Sequence, residues 1–484
     1  MRALLFFLFI SLGTFAQEGA VGTLEAAKDG INQKRKPENQ EFFRAFMFNN
    51  EQYFLQISVL SEMRGLMGAV ETIKEFSLYK GSTNKENFVR KTIFPTSPLF
   101  YCIDSFNKSH YMFFLDKTST LTAIDLISGK QKVIDNFSTK SATYSNILFS
   151  ISEDKKKLSV MWASYPKNCI ATYNQDFSKM YKYENDKSPY VSGSSSYADF
   201  NVNNEGKSVL LIKDDIISGY IATKESINLF SLFKAEKKEY QVQDLGLVFK
   251  DNKCYIVGTT FHFKEKKVYL ISGELKNSST ISVDFNFQKI HNLALTFPID
   301  KKADPARIKL YVSYVIEDKT ILVFYKSASM YGGDYVPYNL IFVTLDNSNK
   351  IINTNELYLM QKNGSIQTHV LSNGKIAIVY NDAKNHIENN EIKDYADFEF
   401  ISSRKDSKRE SAMYVATFDY KTNEIKKQML LESDDKSNLI NRFYHGTSNF
   451  ENDRFSFSVI QGKFVKGAGT DDLNWTPYTF KFKE

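Results

Sequence analysis

The residues in this sequence that could hold a metal ion or act as nucleophiles are few and lie far apart. The chain contains six histidines and three cysteines, Cys102, Cys169 and Cys254. Zinc sites built from these residue types usually contain two ligands separated by about two to five residues, and no two of them lie that close here. We therefore expect no bound metal and no cofactor, and we expect the cysteines to be buried free thiols.

Carboxylate pairs are the remaining candidates for acid–base chemistry, and their spacing is unfavourable. Asp214 and Asp215 are adjacent in the sequence, as are Asp471 and Asp472. Neighbouring residues of a strand point to opposite faces, so such a pair is poorly placed to act on one substrate. The sequence also lacks the GxSxG, HExxH, P-loop and dinucleotide-binding motifs. It names no catalytic residue and favours a protein that is not an enzyme.

Charged and aromatic residues are concentrated in one long connection. Residues 381–411 separate the strand-like segments GKIAIVY and MYVATFDY, whereas a connection between strands usually takes about two to five residues. The part from 388 to 399 is acidic and aromatic, and the part from 404 to 409 is basic. The segment could be a binding surface, a disordered insertion or a flap that packs against the fold.

The elements that carry this connection recur along the chain. Short apolar segments bounded by Asn, Asp, Gly, Ser or Lys are typical of strands and turns. Eight times, a strongly apolar segment is followed by an amphipathic one, beginning with EQYFLQISVL and IKEFSLYKGS and ending with DRFSFSVIQG and YTFKFKE. The spacing of these pairs lies within or somewhat above that of propeller blades. The pairs therefore indicate a repeat architecture.

We predict an all-β fold, a single β-propeller of eight, or alternatively seven, four-stranded antiparallel blades over residues 41–484. Blades stack because a small sheet cannot bury both of its faces alone. The last unit has no fourth strand of its own, so a strand from residues 20–48 should close the ring. Residues 17–40 are predicted to be a linker with a short helix over 22–32. A tandem of β-sandwiches is the alternative.

The propeller prediction brings three long connections together. Residues 327–338 and 461–478 lie between the second and third strands of units six and eight, as 381–411 do in unit seven. Aromatic side chains on loops above a rigid scaffold commonly form recognition surfaces. We therefore predict that these connections bind a partner through Tyr331, Tyr335, Tyr338, Tyr395, Phe398, Phe400, Trp475 and Tyr478.

The first residues predict export. MRALLFFLFISLGTFA has a basic start, a short apolar run and small residues before position 17, which is the pattern of a secretory signal peptide over residues 1–16. No later apolar run reaches the ~20 residues of a membrane-spanning helix. Acidic and basic residues are both plentiful in a chain of formal net charge +6, which is atypical of nucleic-acid binding. We expect a monomer in the periplasm or outside the cell.

The signal ending TFAQ and hairpins such as LTAIDLISGK and SNGKIAIVYNDAKN resemble those of exported bacterial β-propeller proteins in general. The resemblance implies a fold and a compartment, and it transfers no functional residue. The function that we expect is non-catalytic recognition or scaffolding, with a protein or glycan of the cell envelope or exterior as partner. The alternative is a glycan-active lyase or hydrolase with its site at the mouth of the propeller channel.

Overall fold

The computed structural model describes most of the chain from Val21 onwards, and all structural statements below concern the described residues. The described ranges are 21–26, 31–33, 39–49, 51–63, 69–81, 87–94, 98–116, 118–137, 146–164, 167–185, 196–235, 238–277, 281–290, 307–329, 335–359, 366–383, 387–388, 391–392, 411–432, 442–465 and 469–483. The predicted signal peptide lies outside these residues.

The described secondary structure consists of β-strands, with no α-helix in the described ranges. In chain order the strands are β1 (Gly22–Ala26), β2 (Ile31–Gln33), β3 (Asn39–Phe48), β4 (Glu51–Met63), β5 (Ala69–Lys80), β6 (Phe88–Ile93), β7 (Pro98–Phe106), β8 (Ser109–Asp116), β9 (Thr120–Asp125), β10 (Gln131–Asn136), β11 (Asn146–Ile151), β12 (Leu158–Ser164), β13 (Lys167–Tyr173), β14 (Lys179–Asn185), β15 (Ser196–Val202), β16 (Ser208–Lys213), β17 (Ile216–Ala222), β18 (Ile227–Lys234), β19 (Tyr240–Lys250), β20 (Lys253–His262), β21 (Lys267–Asn277), β22 (Ile281–Val283), β23 (Asn286–Lys289), β24 (Arg307–Ile316), β25 (Lys319–Ser329), β26 (Tyr335–Leu345), β27 (Ile351–Tyr358), β28 (Ile366–Val370), β29 (Ile376–Ala383), β30 (Ile387–Glu388), β31 (Glu391–Ile392), β32 (Ser411–Asp419), β33 (Glu424–Glu432), β34 (Arg442–Glu451), β35 (Arg454–Val465) and β36 (Gly469–Phe482).

These strands form eight antiparallel blades arranged as a β-propeller, which confirms the predicted fold class. Blade 1 is β3–β6, blade 2 β7–β10, blade 3 β11–β14, blade 4 β15–β18, blade 5 β19–β23, blade 6 β24–β27, blade 7 β28, β29, β32 and β33, and blade 8 β34–β36 with β1 and β2. The first strand of each blade is innermost. The fourth position of blade 5 is shared by β22 and β23, and β30 pairs only with β31.

A strand from the start of the described chain closes the ring. β1 pairs antiparallel with β36 from Gly22 opposite Phe482 to Ala26 opposite Tyr478, and it takes the outer position of blade 8. The short helix predicted over residues 22–32 is therefore wrong in the described part, where 22–26 and 31–33 are strands. Short helices are marginal in water, whereas the outer edge of β36 offers a row of hydrogen-bonding groups.

The closing segment pairs with β36 in two pieces, on either side of Pro477. β1 pairs with Tyr478–Phe482 and β2 pairs with Leu473–Trp475, so Pro477 lies at the break. Proline has no backbone N–H to donate to a neighbouring strand. The segment EFFRAFMF, which also falls within the predicted range of residues 20–48, instead lies in β3, the innermost strand of blade 1.

Side chains from both neighbouring blades fix the closure. The amide of Val21 donates to Gln428 Oε1 of blade 7 at 3.0 Å, and the carbonyl of Val21 accepts from the amide of Lys483 at 2.9 Å. On the other side, Gln52 Nε2 of blade 1 donates to Thr479 Oγ1 at 2.9 Å. Blade 8 is thus tied through Val21 to blade 7 and through Thr479 of β36 to blade 1.

The turns between the first and second strands lie on one face of the disc and are short. Asn107 and Lys108 have φ angles of 44° and 63°, and Asp251 and Asn252 have angles of 49° and 61°. Two successive residues with positive φ form the tight hairpin turn that suits twisted strands, and Asn and Asp tolerate that conformation best. This face is therefore compact and carries no long connection among the described residues.

Hydrogen bonds join these turns, and in blade 7 also the turn between β32 and β33 on the same face, from blade to blade into what we call the turn belt. In one example, Asn252 Nδ2 of blade 5 donates to Glu205 Oε1 of blade 4 at 2.7 Å. The pairs of the turn belt are Asn107–Lys155, Asp154–Asn204, Glu205–Asn252, Lys250–Asp318, Glu317–Lys421 and Ser372–Asp453. They link consecutive blades from blade 2 to blade 8.

Buried polar groups also fix the seam between blades 3 and 4. The hydroxyls of Ser159, Thr172 and Ser208 form a triangle with oxygen–oxygen distances of 2.7 to 3.0 Å. The Tyr181 hydroxyl lies 2.8 Å from Ser208 Oγ and donates to the Gly206 carbonyl at 2.7 Å. A buried hydroxyl is costly without a partner, so this network favours one register of the two blades.

Replacement of Gly22 should test ring closure. A side chain at this position would clash with the Lys481 carbonyl oxygen and the Phe480 ring. We expect Gly22→Val to lower the free energy of unfolding by about 1 to 3 kcal/mol, the usual cost of overpacking, and to broaden the thermal transition. Thr23→Val is the matched control, because Thr23 is exposed in the same strand. Equal melting curves for the two variants would argue against this closure.

Candidate binding face

The connections between second and third strands lie on the face opposite the turn belt. This follows from the antiparallel order of each blade, in which successive connections alternate between the two faces. In blades 2, 4 and 5 the second strand ends level with the innermost strand. The residues that end opposite one another are Pro98 and Asp116, Ser196 and Lys213, and Tyr240 and His262. These three blades do not project from the face.

In four consecutive blades, the second and third strands continue beyond the innermost strand. In blade 8 the innermost strand begins at Arg442 opposite Ile460, but β35 and β36 remain paired as far as Val465 opposite Gly469. The hairpins of blades 6, 7 and 1 likewise continue beyond their innermost strands. We call these projecting parts the crest, which comprises residues 328–329 and 335–336, 381–383 and 411–413, 461–465 and 469–474, and 61–63 and 69–71.

The crest is highest at blade 8 and is supported there by the closing segment. β2 pairs with Leu473–Trp475, so the base of the blade 8 hairpin is three-stranded. A two-stranded hairpin alone is only marginally stable in water. The segment that closes the ring therefore also stiffens the tallest part of the crest.

The structure changes the predicted long connections in two ways. Residues 327–338 and 461–478 are largely strand, because β25 continues to Ser329, β26 begins at Tyr335 and β36 begins at Gly469. Sequence analysis also missed blade 1, although residues 61–72 separate its paired segments by a gap as long as that in blade 6. That gap was the available signal.

The eight predicted binding residues have different outcomes. Tyr331, Tyr395, Phe398 and Phe400 lie outside the described residues. Tyr335 pairs with Ser329 within the crest, whereas Tyr338 lies in β26 and Trp475 pairs with Ile460 just below the crest. Their roles in binding stay predictions.

Tyr478 is a correction to the predicted surface. Its side chain is only 9% exposed, and its ring is stacked on Phe457 at a centroid distance of 5.5 Å. It belongs to the core cluster shared by blades 7 and 8. The reason is strand alternation: Tyr478 and Phe480 point to the same buried face of β36.

Two carboxylates of the innermost strands are committed to structure. Asp199 Oδ2 of blade 4 accepts from the Leu247 amide of blade 5 at 2.7 Å, and Oδ1 accepts from Phe200. Asp244 Oδ2 of blade 5 accepts from the Leu310 amide of blade 6 at 2.7 Å. Burial raises the pKa of both carboxyls, that of Asp244 to about 6. The bonded amides limit the rise at both residues, and the charges of Lys213 and Lys309 limit it further at Asp244.

The described histidines and cysteines make mainly structural contacts. The ring of His110 lies 4.5 Å from that of Phe46, and the ring of His369 is stacked on Phe450 at 4.9 Å. Cys169 and Cys254 are buried free thiols, as predicted, and burial raises their pKa to about 12; Cys102 is partly buried.

Two further features bear on the kind of site. Within the described ranges, no three side chains of His, Cys, Asp or Glu come together in a way that could hold a metal ion. No helix in that same part of the chain is long and apolar enough to cross a membrane.

The sequence matches no family model and no curated protein. Among solved structures, it is similar to the WD40 domain of SCAP from fission yeast, at 10% identity and a TM-score of 0.45 over 96% of this chain and 98% of that one. It is also similar to the Dos1 propeller, at 11% identity and a TM-score of 0.37 over 78% and 92% of the two chains. A third is the polysaccharide lyase Uly1, at 10% identity and a TM-score of 0.35 over 82% and 92%. These likenesses are too distant to bear on function.

Asp244 should give stability a measurable pH dependence. Its folded pKa of about 6 lies above the ordinary aspartate pKa of 3.8, so its contribution to stability is lost as the pH rises from 4 to 6. We expect Asp244→Asn, which keeps an acceptor for Leu310, to lose this decline. The check is the melting temperature between pH 4.5 and 7.5.

The control for this experiment is Asp251→Asn, which removes the same charge from an exposed turn. It should keep the pH dependence of the wild-type protein. If Asp244→Asn and the wild-type protein show parallel curves, the Asp244 carboxyl is already ionised at pH 4.5 in the folded state.

Proposed function

We propose that this protein is an exported recognition or scaffold propeller that binds a protein or glycan of the cell envelope or exterior through its crest. The observation that carries the proposal is the continuous run of projecting hairpins on blades 6, 7, 8 and 1, all on one face. Because blades 8 and 1 are neighbours through ring closure, the four hairpins occupy one sector. A partner could therefore contact all of them at once.

The contrast between the two faces supports this assignment. One face consists of short turns that bond to one another in the turn belt. On the other face, the second and third strands of four blades continue beyond the innermost strand. Recognition residues are commonly placed on projecting segments that a rigid scaffold positions. The belt supplies the rigid side, and the crest supplies the projecting side.

The contacts of the buried acids favour binding over catalysis. Asp199 uses both carboxylate oxygens to accept backbone amides, and Asp244 accepts the amide of the neighbouring blade. A general acid or base needs a carboxyl that can exchange a proton with a substrate. These two carboxyls instead join innermost strands. We further propose that the protein acts as a monomer and does not bind nucleic acid.

Trimming the crest tests the proposal. In the variant, Asn-Gly replaces residues 461–474, so that Ile460 and Trp475 flank a two-residue turn of the type that hairpins favour. We expect the trimmed protein to stay folded and to lose the partners that the tagged wild-type protein retains from its native envelope or on a glycan array. The readout is the set of proteins or glycans retained by each variant.

The matched control changes a hairpin on the same face outside the crest. In blade 5, Asn-Gly replaces residues 263–266, which connect β20 and β21. This variant should retain the wild-type partners. Retention of every partner by the crest variant would refute the proposed surface, and turnover of a bound glycan by the wild-type protein would favour the enzymatic alternative.

A further inference from the structure

Aromatic contacts join the innermost strands of blades 7 and 8 to β36, the strand on which the closing strand pairs. His369 of β28 is stacked on Phe450 of β34 at a centroid distance of 4.9 Å and an interplanar angle of 15°. Phe450 in turn lies 6.2 Å from Phe482, with the rings 27° apart. Phe482 is the residue opposite Gly22 in the pairing of β36 with β1. Three rings therefore connect an ionisable side chain to the pairing that closes the ring.

The charged groups around His369 come from two directions. Asp453, in the first turn of blade 8, favours the protonated imidazole, whereas Lys155, in the corresponding turn of blade 3, opposes it. The Asp453 carboxylate is already engaged, because it accepts from the amide of Ser372 at 2.7 Å and from the Ser372 hydroxyl at 2.5 Å. Protonation of His369 therefore does not gain an uncommitted counter-ion.

Asp453 also connects this region to the closing strand through the backbone. Its carbonyl accepts from the amide of Phe482 at 2.9 Å, and the next amide, of Lys483, donates to the carbonyl of Val21 at 2.9 Å. A shift of the Asp453 turn would therefore be transmitted through Phe482 and Lys483 to Val21, next to β1. The aromatic rings and the backbone thus provide two routes from His369 to the same closure.

We propose that the seam between blades 7 and 8 is an acid-sensitive joint, in which protonation of His369 loosens the pairing of β1 with β36. The proposal is independent of the partner that binds the crest. Burial is the main reason why the pKa of His369 falls from 6.5 to about 4. When folding lowers the pKa of a histidine, the folded state loses stability as the pH falls from 6.5 towards 4, because the unfolded state binds the proton more tightly.

Hydrogen exchange of the β1 amides tests the joint in the full chain. Protection factors for residues 22–26, corrected for the intrinsic effect of pH, should fall roughly twentyfold between pH 7 and pH 5 in the wild-type protein if opening frees His369. His369→Phe keeps a stacked ring and cannot be protonated. In that variant we expect the protection of β1 to be independent of pH over the same range.

Two further variants separate this joint from general acid sensitivity. His110→Phe removes a buried histidine at the seam between blades 1 and 2 and should leave the acid response of β1 intact. His369→Gln provides a second non-titrating side chain in case His369→Phe folds poorly, and it should abolish the response. The same loss of β1 protection in the His369 variants and the wild-type protein would overturn the proposal.

Discussion

The pairing of β1 with β36 is the interaction on which the whole architecture depends. Each blade covers one face of the next, so the stack is complete only when blade 8 meets blade 1. Blade 8 has three strands from the end of the described chain and obtains its outer strand from residues 22–26. Without that strand, β36 would be an exposed edge next to a core of Phe455, Phe457 and Phe480.

Polar contacts between blades solve a geometric problem that apolar packing alone does not. The innermost strands of neighbouring blades lie side by side without forming a common sheet, so some backbone groups need other partners. Asp199 and Asp244 provide these partners for the amides of Leu247 and Leu310. The hydroxyl triangle at Ser208 and the turn belt extend the same principle outward. These contacts specify how blades are placed, whereas hydrophobic burial holds them together.

The sequence predicted the eight blades because the second and third strands of each blade carry a strong local signal. The closing strand had no such signal, since Gly22–Ala26 becomes a strand only through its distant partner β36. The crest was also hidden. Gly332, Gly333 and Pro337 interrupt one of its segments and are typical of loops, yet β25 and β26 stay paired close to them. Side-chain direction in β36 was equally uncertain until the pairing with β35 fixed which face holds Tyr478.

The difference between the two faces has a mechanical consequence. The turn belt links blades 2 to 8 at one end, whereas the hairpins of the crest extend beyond their innermost strands at the other end. In small rotations of the blades, the belt end should therefore move least and act as the pivot. Because displacement grows with distance from the pivot, the blade 8 part of the crest should move farthest. The sector could adjust its width to partners of different size while the core packing near the belt stays unchanged.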